Sequence, residues 1–263
     1  MTETRARLDV TAATNLGRLR STNEDAVVVG RWLGFGEDAS FSASHGPFAD
    51  VLLAVADGLG GHSAGDVASR MVIEGLAARA QDLTVGNTDS MTDAITAIDD
   101  DLRKRAASET SLHGMGSTLA MAVVSANALT ILNIGDSRIY FSRDFGEVRQ
   151  ISVDDVPHGR PESVTQDGPG NSSGRRTSHF VTQALGGPGL RRSRLRPHIV
   201  DLDTSIPWTL LLCSDGLTDY VGEKALMECI TSPTCCANDL VALALAGGGG
   251  DNVSVILARC DYP

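Results

Sequence analysis

The 263-residue chain has no apolar run approaching the roughly 18 residues needed to span a bilayer. Met1 to Asp9 also lacks the apolar core of a secretory signal. A soluble cytoplasmic protein without a membrane segment is therefore expected. Positive charge is in the minority, with 22 Lys and Arg against 33 Asp and Glu, a net charge of −11 and a pI near 4.9. That balance argues against a general binder of nucleic acid or anionic membrane, and it suits a protein that gathers carboxylates around cations. Cysteine is sparse: Cys213, Cys229, Cys235, Cys236 and Cys260 form no C-x-x-C pair. Cys235 and Cys236 are adjacent, which strains a disulfide between them, so reduced thiols are expected.

Apolar residues make up 42% of the chain, enough for a sizeable core. Four aspartates lie at the ends of short apolar runs, each with glycine beside it. They are Asp57 after Val51–Ala56, Asp136 after Leu129–Ile134, Asp215 after Leu210–Cys213, and Asp251 before Val253–Leu257. Such runs read as buried strands. A strand end is a rigid point from which a carboxylate can be aimed at a shared site, and converging carboxylates call for a cation. Taken singly, each aspartate reads more readily as a turn residue; it is the recurrence of the pattern that points to a shared site.

Further strands are expected at Ala26–Val29, Ser117–Val124, Ile139–Ser142 and His198–Leu202, with a hairpin at Ser125–Ala128. Helical spacing marks Asp66–Ala80, Ser90–Glu109 and Pro233–Ala246. Within the second, Asp99-Asp100-Asp101 reads as a solvated face. The strands cluster instead of alternating with helices, which favours antiparallel sheets with helices packed outside. Residues 157–179, rich in Gly, Ser, Pro and Arg, read as a long surface loop. No repeat or domain boundary interrupts the chain, so 1–263 is read as one domain.

The glycine-rich stretch Asp57–Gly65 fits neither a dinucleotide fingerprint, because Ser63 stands where the last glycine belongs, nor a Walker loop, because it has no Lys. His62, close to Asp57, is a candidate for proton transfer. Gly17–Ala26 offers Arg20 as a phosphate clamp and Glu24 and Asp25 as hard oxygen donors. The basic block Arg191–Arg196 reads as a solvated edge or as a docking strip for acidic partners.

In order, the chain carries Gly17-x-x-Arg20-x-x-Asn23-Glu24-Asp25, Ala56-Asp57-Gly58-Leu59-Gly60-Gly61-His62-x-x-Gly65 and Gly116-Ser117-Thr118. Asn133–Arg138, Thr182–Gly186, Leu212–Asp219 and Asp251–Val255 follow. From about Thr14 to Arg259 this resembles the metal-dependent type 2C serine/threonine protein phosphatases (PPM) in their compact bacterial form. The resemblance implies an α+β fold, a four-layer α-β-β-α sandwich of two mainly antiparallel sheets, with a flap inserted at about 154–180. It implies two Mn²⁺ or Mg²⁺ ions: Asp57 bridging both, Asp215 and Asp251 on one, Glu24 and the Gly58 carbonyl on the other. Asp25 and Asn252 would stand behind these ligands, and Asp136 and Asp219 match a third, weaker metal site. Arg20 matches the phosphate-binding arginine, and His62 the acid for the leaving oxygen. Oxygen donors suit Mg²⁺ and Mn²⁺, and ions so held activate water for direct attack on phosphorus.

The implied partners are phosphorylated proteins, substrates of a serine/threonine kinase, met by a monomer. A catalytically silent sensor or adaptor of the same fold, or a phosphatase of small metabolites, are the alternatives. The sequence departs from the family where Ile151-Ser152-Val153-Asp154-Asp155 replaces its usual Leu-Thr-x-Asp-His, and in the composition of residues 157–179.

Overall fold

The computed structural model describes residues 6–46, 50–60, 64–144, 146–157, 181–187 and 195–261. The early strands are β1 (Arg7–Asn15), β2 (Asn23–Val29), β3 (Trp32–Gly36), β4 (Ala39–His45) and β5 (Val51–Leu59). After α1 (Gly65–Ala78) and α2 (Thr88–Ser108) come β6 (Gly116–Ser117), β7 (Leu119–Val124), β8 (Ala128–Ile134), β9 (Arg138–Arg143) and β10 (Val148–Gln150). Next are β11 (Leu185–Gly186), β12 (His198–Asp203), β13 (Trp208–Cys213), α3 (Asp215–Thr218), α4 (Glu223–Thr231), α5 (Ala237–Ala246) and β14 (Val253–Asp261). One sheet runs β10-β9-β13-β14-β1-β4. The other runs β11-β6-β5-β7-β8-β12, with β2 pairing β5 and β3 pairing β2. Every strand pair among the described residues is antiparallel.

Alternation along the strands makes the layers. Successive side chains point to opposite faces of a sheet, so a strand buried on both faces reads as a continuous apolar run. In β5, Leu52, Ala54 and Ala56 join Ile73 and Leu76 of α1 and Ile95 and Ile98 of α2 in one core. Leu53 and Val55 point the other way, into a second core with Leu210 and Leu212 of β13 and Ile256 of β14. Leu211, Val255 and Leu257 face a third core with Ile230 of α4 and Leu240 of α5. The order is thus helices, sheet, sheet, helices. No helix among the described residues is long and apolar enough to cross a membrane.

Several boundaries differ from the sequence expectation. β5 continues through Asp57 to Leu59, because Gly58 and Leu59 pair with Ser117 and Gly116. The helix expected from Pro233 begins at Ala237 after Cys236, whose backbone N–H donates to the Asp239 carboxylate at 2.8 Å. β1 and β4 were not anticipated; β4 is a sheet edge of small residues, Ser and Ala, with little apolar signal. The expectation of five reduced thiols is corrected: Cys229 and Cys235 form a disulfide, their Cα atoms 5.5 Å apart. Arg259 holds this connection closed, donating to the Ser232 carbonyl at 2.7 Å and the Cys235 carbonyl at 2.8 Å. Cys213, Cys236 and Cys260 are free thiols.

Leu212 is fully buried between the sheets. Leu212→Ala should cost about 2–5 kcal/mol of stability in urea unfolding, through lost burial and the cavity left behind. A cost under roughly 1 kcal/mol would show that the layer between the sheets repacks freely.

Candidate metal centre

The two sheets share one polar end. In the second sheet Asp25 on β2 stands opposite Asp57 on β5. By strand alternation both lie on the face that carries Val27 and Val55 into the core between the sheets. The matching positions of the first sheet are Thr14, Ser214 and Ser254, which extend the same face as Ala12, Leu212 and Ile256. The layer between the sheets therefore turns from aliphatic to hydroxyl and carboxylate at this end.

Hydrogen bonds fix that polar layer. Ser214 Oγ donates to Asp25 Oδ2 at 2.8 Å and accepts the Ser254 N–H at 3.0 Å. Ser254 Oγ donates to Thr14 Oγ1 at 2.8 Å, and Asn23 Nδ2 donates to the same oxygen at 2.8 Å. Thr118 braces Asp57: its Oγ1 accepts the Asp57 N–H at 3.0 Å and its N–H donates to the Asp57 carbonyl at 2.9 Å. Asn252, at the turn before β14, accepts the Glu24 N–H at 2.9 Å and donates to the Leu16 and Thr22 carbonyls at 2.8 and 3.1 Å. It fastens the Glu24 segment to the Asp251 turn.

Asp215 opens α3 directly after β13, and Asp219 follows one turn later, its N–H bonded to the Asp215 carbonyl at 2.8 Å. Gly58 is required by close approach, since an added Cβ would overlap the Gly65 carbonyl and stand 2.7 Å from the Glu24 carbonyl oxygen. The start of α1 thus lies against Glu24. Arg20 reaches in from the β1–β2 loop, donating to Asp251 Oδ2 at 2.6 Å, with Glu24 Oε2 at 3.7 Å. Partial burial opposes its charge, but the hydrogen bond and charge of Asp251, with Glu24 and Asp57, outweigh burial and raise its pKa.

Electrostatics confirm that the carboxylates crowd one another. Burial pushes Asp25 up to about 7, against the Ser214 hydrogen bond and the nearby Ser254 hydroxyl, and the charges of Asp215 and Asp251 push it further. Asp57 rises well above the ordinary 3.8, first from loss of water, then from Asp25, Asp215, Asp251 and Asp136. Among the described residues no three Asp, Glu, His or Cys side chains close on one point at ligand distance. The acids are instead neighbours at one end of the sandwich, with Arg20 among them. His62 lies outside the described residues, as do most of the 157–179 loop and of the Arg191–Arg196 block.

Asp155, which stands in place of the family's histidine, is buried beside this end. Its carboxylate accepts from the Gly135 N–H and from Gln183 Nε2, both at 2.9 Å, and lies 3.0 Å from His198 Nε2. It thereby ties the Gly135-Asp136 turn to the chain on either side of residues 158–180. Asp99 also departs from the solvated face expected of it, accepting the Gly186 N–H at 2.7 Å. Neither contact was foreseen from sequence, because each partner lies tens of residues away in the chain.

A family model for protein phosphatase 2C matches residues 35–239. The chain belongs to the protein phosphatase 2C family. It is 33% identical over 253 residues, 94% of its length, to the serine/threonine protein phosphatase PstP of Mycobacterium tuberculosis, and spans 44% of the length of that relative. It is 32% identical over 221 residues to the serine/threonine phosphatase stp of Listeria monocytogenes, covering 80% of this chain and 84% of that protein. The crystal structure of the PstP catalytic domain in complex with two manganese ions has a TM-score of 0.75 at 32% identity, over 97% of this chain and 99% of that one. This 2C-type chain therefore has the expected α+β sandwich.

Asp25 and Asp57 hold protons in the folded, metal-free chain that an unfolded chain releases near pH 3.8. The stability they contribute is full below that pH and falls as pH rises towards about 7, where Asp25 ionises in the folded state. In EDTA, Asp57→Asn should therefore melt at a higher temperature than the parent at pH 7.5, with the difference shrinking at pH 4.5. A lower melting temperature for Asp57→Asn at pH 7.5 would show that its carboxylate is well accommodated without a cation.

Proposed function

We propose that this chain is a metal-dependent protein serine/threonine phosphatase. The observation that carries the reading is the gathering of Asp25, Asp57, Asp215 and Asp251 at one end of the sandwich, with Arg20 among them. Such a set suits hard divalent cations: the donors are oxygen, the acids are short of water, and their mutual repulsion raises Asp25 and Asp57. The two manganese ions of the PstP catalytic domain support the same conclusion.

In this reading Asp57, Asp215, Asp251, Glu24 and the Gly58 carbonyl would hold two Mn²⁺ or Mg²⁺ ions, with Asp57 shared between them. When bound, the ions supply Lewis acidity and an activated water for attack on phosphorus. Thr118 fixes the backbone of Asp57 and so the aim of its carboxylate. Asp25 and Asn252 hold the ligand strands in place from behind. Asp136, with Asp219 one turn beyond Asp215, would hold a third ion more weakly. The Arg20 side chain is 45% accessible, so its guanidinium can turn a donor face to phosphate oxygens while anchored on Asp251. His62 donates a proton to the departing serine or threonine oxygen.

The substrates are phosphorylated proteins, products of a serine/threonine kinase, met in the cytoplasm by a monomer. The pairing of the first and last described strands, β1 and β14, supports one catalytic unit.

Hydrolysis of an aryl phosphate and of a phosphothreonine peptide should require Mn²⁺ and stop in EDTA. Asp57→Asn should lower kcat by roughly three orders of magnitude, the several kcal/mol a bound ion supplies. In the same assay His62→Ala should lose more on the peptide than on the aryl ester, whose better leaving group needs the acid less. Metal-independent turnover would sink the proposal; equal losses on both esters would remove His62 from the acid role.

A further inference from the structure

Asp57 lies on β5 and Asp136 in the turn after β8, yet one side chain supports both. Thr118, between β6 and β7, is fully buried. Its Oγ1 accepts the Asp57 N–H at 3.0 Å, and its N–H donates to the Asp57 carbonyl at 2.9 Å. The same Oγ1 lies 2.7 Å from Ser137 Oγ, and Ser137 is also fully buried. Gly135 turns at φ +93°, and a Cβ added there would stand 2.7 Å from the Thr118 methyl carbon Cγ2. Thr118 therefore lies against both chain neighbours of Asp136, one through its methyl and one through its hydroxyl, while it holds both backbone polar groups of Asp57.

The Asp136 turn is held by a second group as well. Asp155 Oδ2 accepts the Gly135 N–H, and the Asp155 N–H donates to the Gly135 carbonyl, both at 2.9 Å. Hydroxyls shut off from water do not give up their partners cheaply, and close-packed interiors transmit displacement instead of absorbing it. Movement of the Asp136 turn is thus passed to the backbone of Asp57. The charge of Asp136 also acts on Asp57 through space; the hydroxyl pair is a second, mechanical route. Once Asp136 is ligated its turn is immobilised, so less ordering remains to be done when Asp57 takes up its own ions.

We infer that Thr118 and Ser137 are positioning residues that couple the weaker ion site at Asp136 to the shared ligand Asp57. The inference rests on the metal-site reading above.

The test is calorimetric titration with Mn²⁺ of the parent, Asp136→Asn, Ser137→Ala and the variant carrying both changes. Ser137→Ala leaves Thr118 on Asp57 and cuts only its hydrogen bond to the turn. Asp136→Asn should weaken the tighter Mn²⁺ sites by about ten-fold in the parent, and by no more than about three-fold in the Ser137→Ala background, the remainder being charge. Thr118→Val, which keeps the shape and loses the hydroxyl, should blunt the dependence on Asp136 in the same way, and Thr118→Ser, which keeps the hydroxyl, should retain it. Equal effects of Asp136→Asn in the parent and in the Ser137→Ala background would overturn the inference, because a merely structural Ser137 changes affinity without changing that dependence. Unchanged affinity in Asp136→Asn alone would overturn it too. If the parent bound no Mn²⁺, the metal-site reading itself would fall and this inference with it.

Discussion

Two ionised carboxylates about 4 Å apart repel by roughly 4 kcal/mol at an effective dielectric of 20. Asp25 and Asp57 stand opposite one another on paired strands, and Asp215 and Asp251 press on both. This repulsion governs the polar end of the sandwich. An aliphatic layer fills the space between the sheets elsewhere; here the same rows of positions are given to Thr14, Ser214, Ser254, Asp25 and Asp57.

The hydroxyls and amides around the acids hold geometry more than they neutralise charge. Ser214 and Ser254 soften Asp25 without reversing the effect of burial. Thr118 grips Asp57 through backbone atoms, and Asn252 grips Glu24 the same way. Within the described residues Arg20 is the cation that faces Asp251, Glu24 and Asp57. Oxygen donors gathered in this way are suited to divalent ions of the kind found in PstP. The arrangement trades stability of the metal-free chain for a prepared site, a trade common to functional centres.

Much of this was legible in the sequence because the strand ends that carry the acids are marked by unbroken apolar runs. Asp57, Asp136, Asp215 and Asp251 could be picked out by that pattern alone, and the layered fold followed from clustered strands. Arg20, Glu24 and Asp25 were visible as candidate chemistry, but their place opposite Asp57 depends on the β2–β5 register, which a single chain does not display. β1 and β4 were missed because their residues are small or polar on one face and an edge strand needs little apolar signal. The hydrogen bonds of Asp155 with Gln183 and of Asp99 with Gly186 span 28 and 87 residues, and no local pattern encodes them. The Cys229–Cys235 pair lies in the α4–α5 connection that Arg259 of β14 also holds, a contact no local pattern displays.

Because metal ligands must shed their protons, a cation that relieves the repulsion must displace the protons Asp25 and Asp57 retain when folded without metal. Calorimetric titration with Mn²⁺ at pH 6, in two buffers of different ionisation enthalpy, counts those protons directly. Release of protons on binding is predicted, falling as the pH is raised through about 7, where Asp25 ionises in the folded chain. Tight Mn²⁺ binding with no proton release at pH 6 would contradict the view that crowded, partly protonated carboxylates are what the metal site is built from.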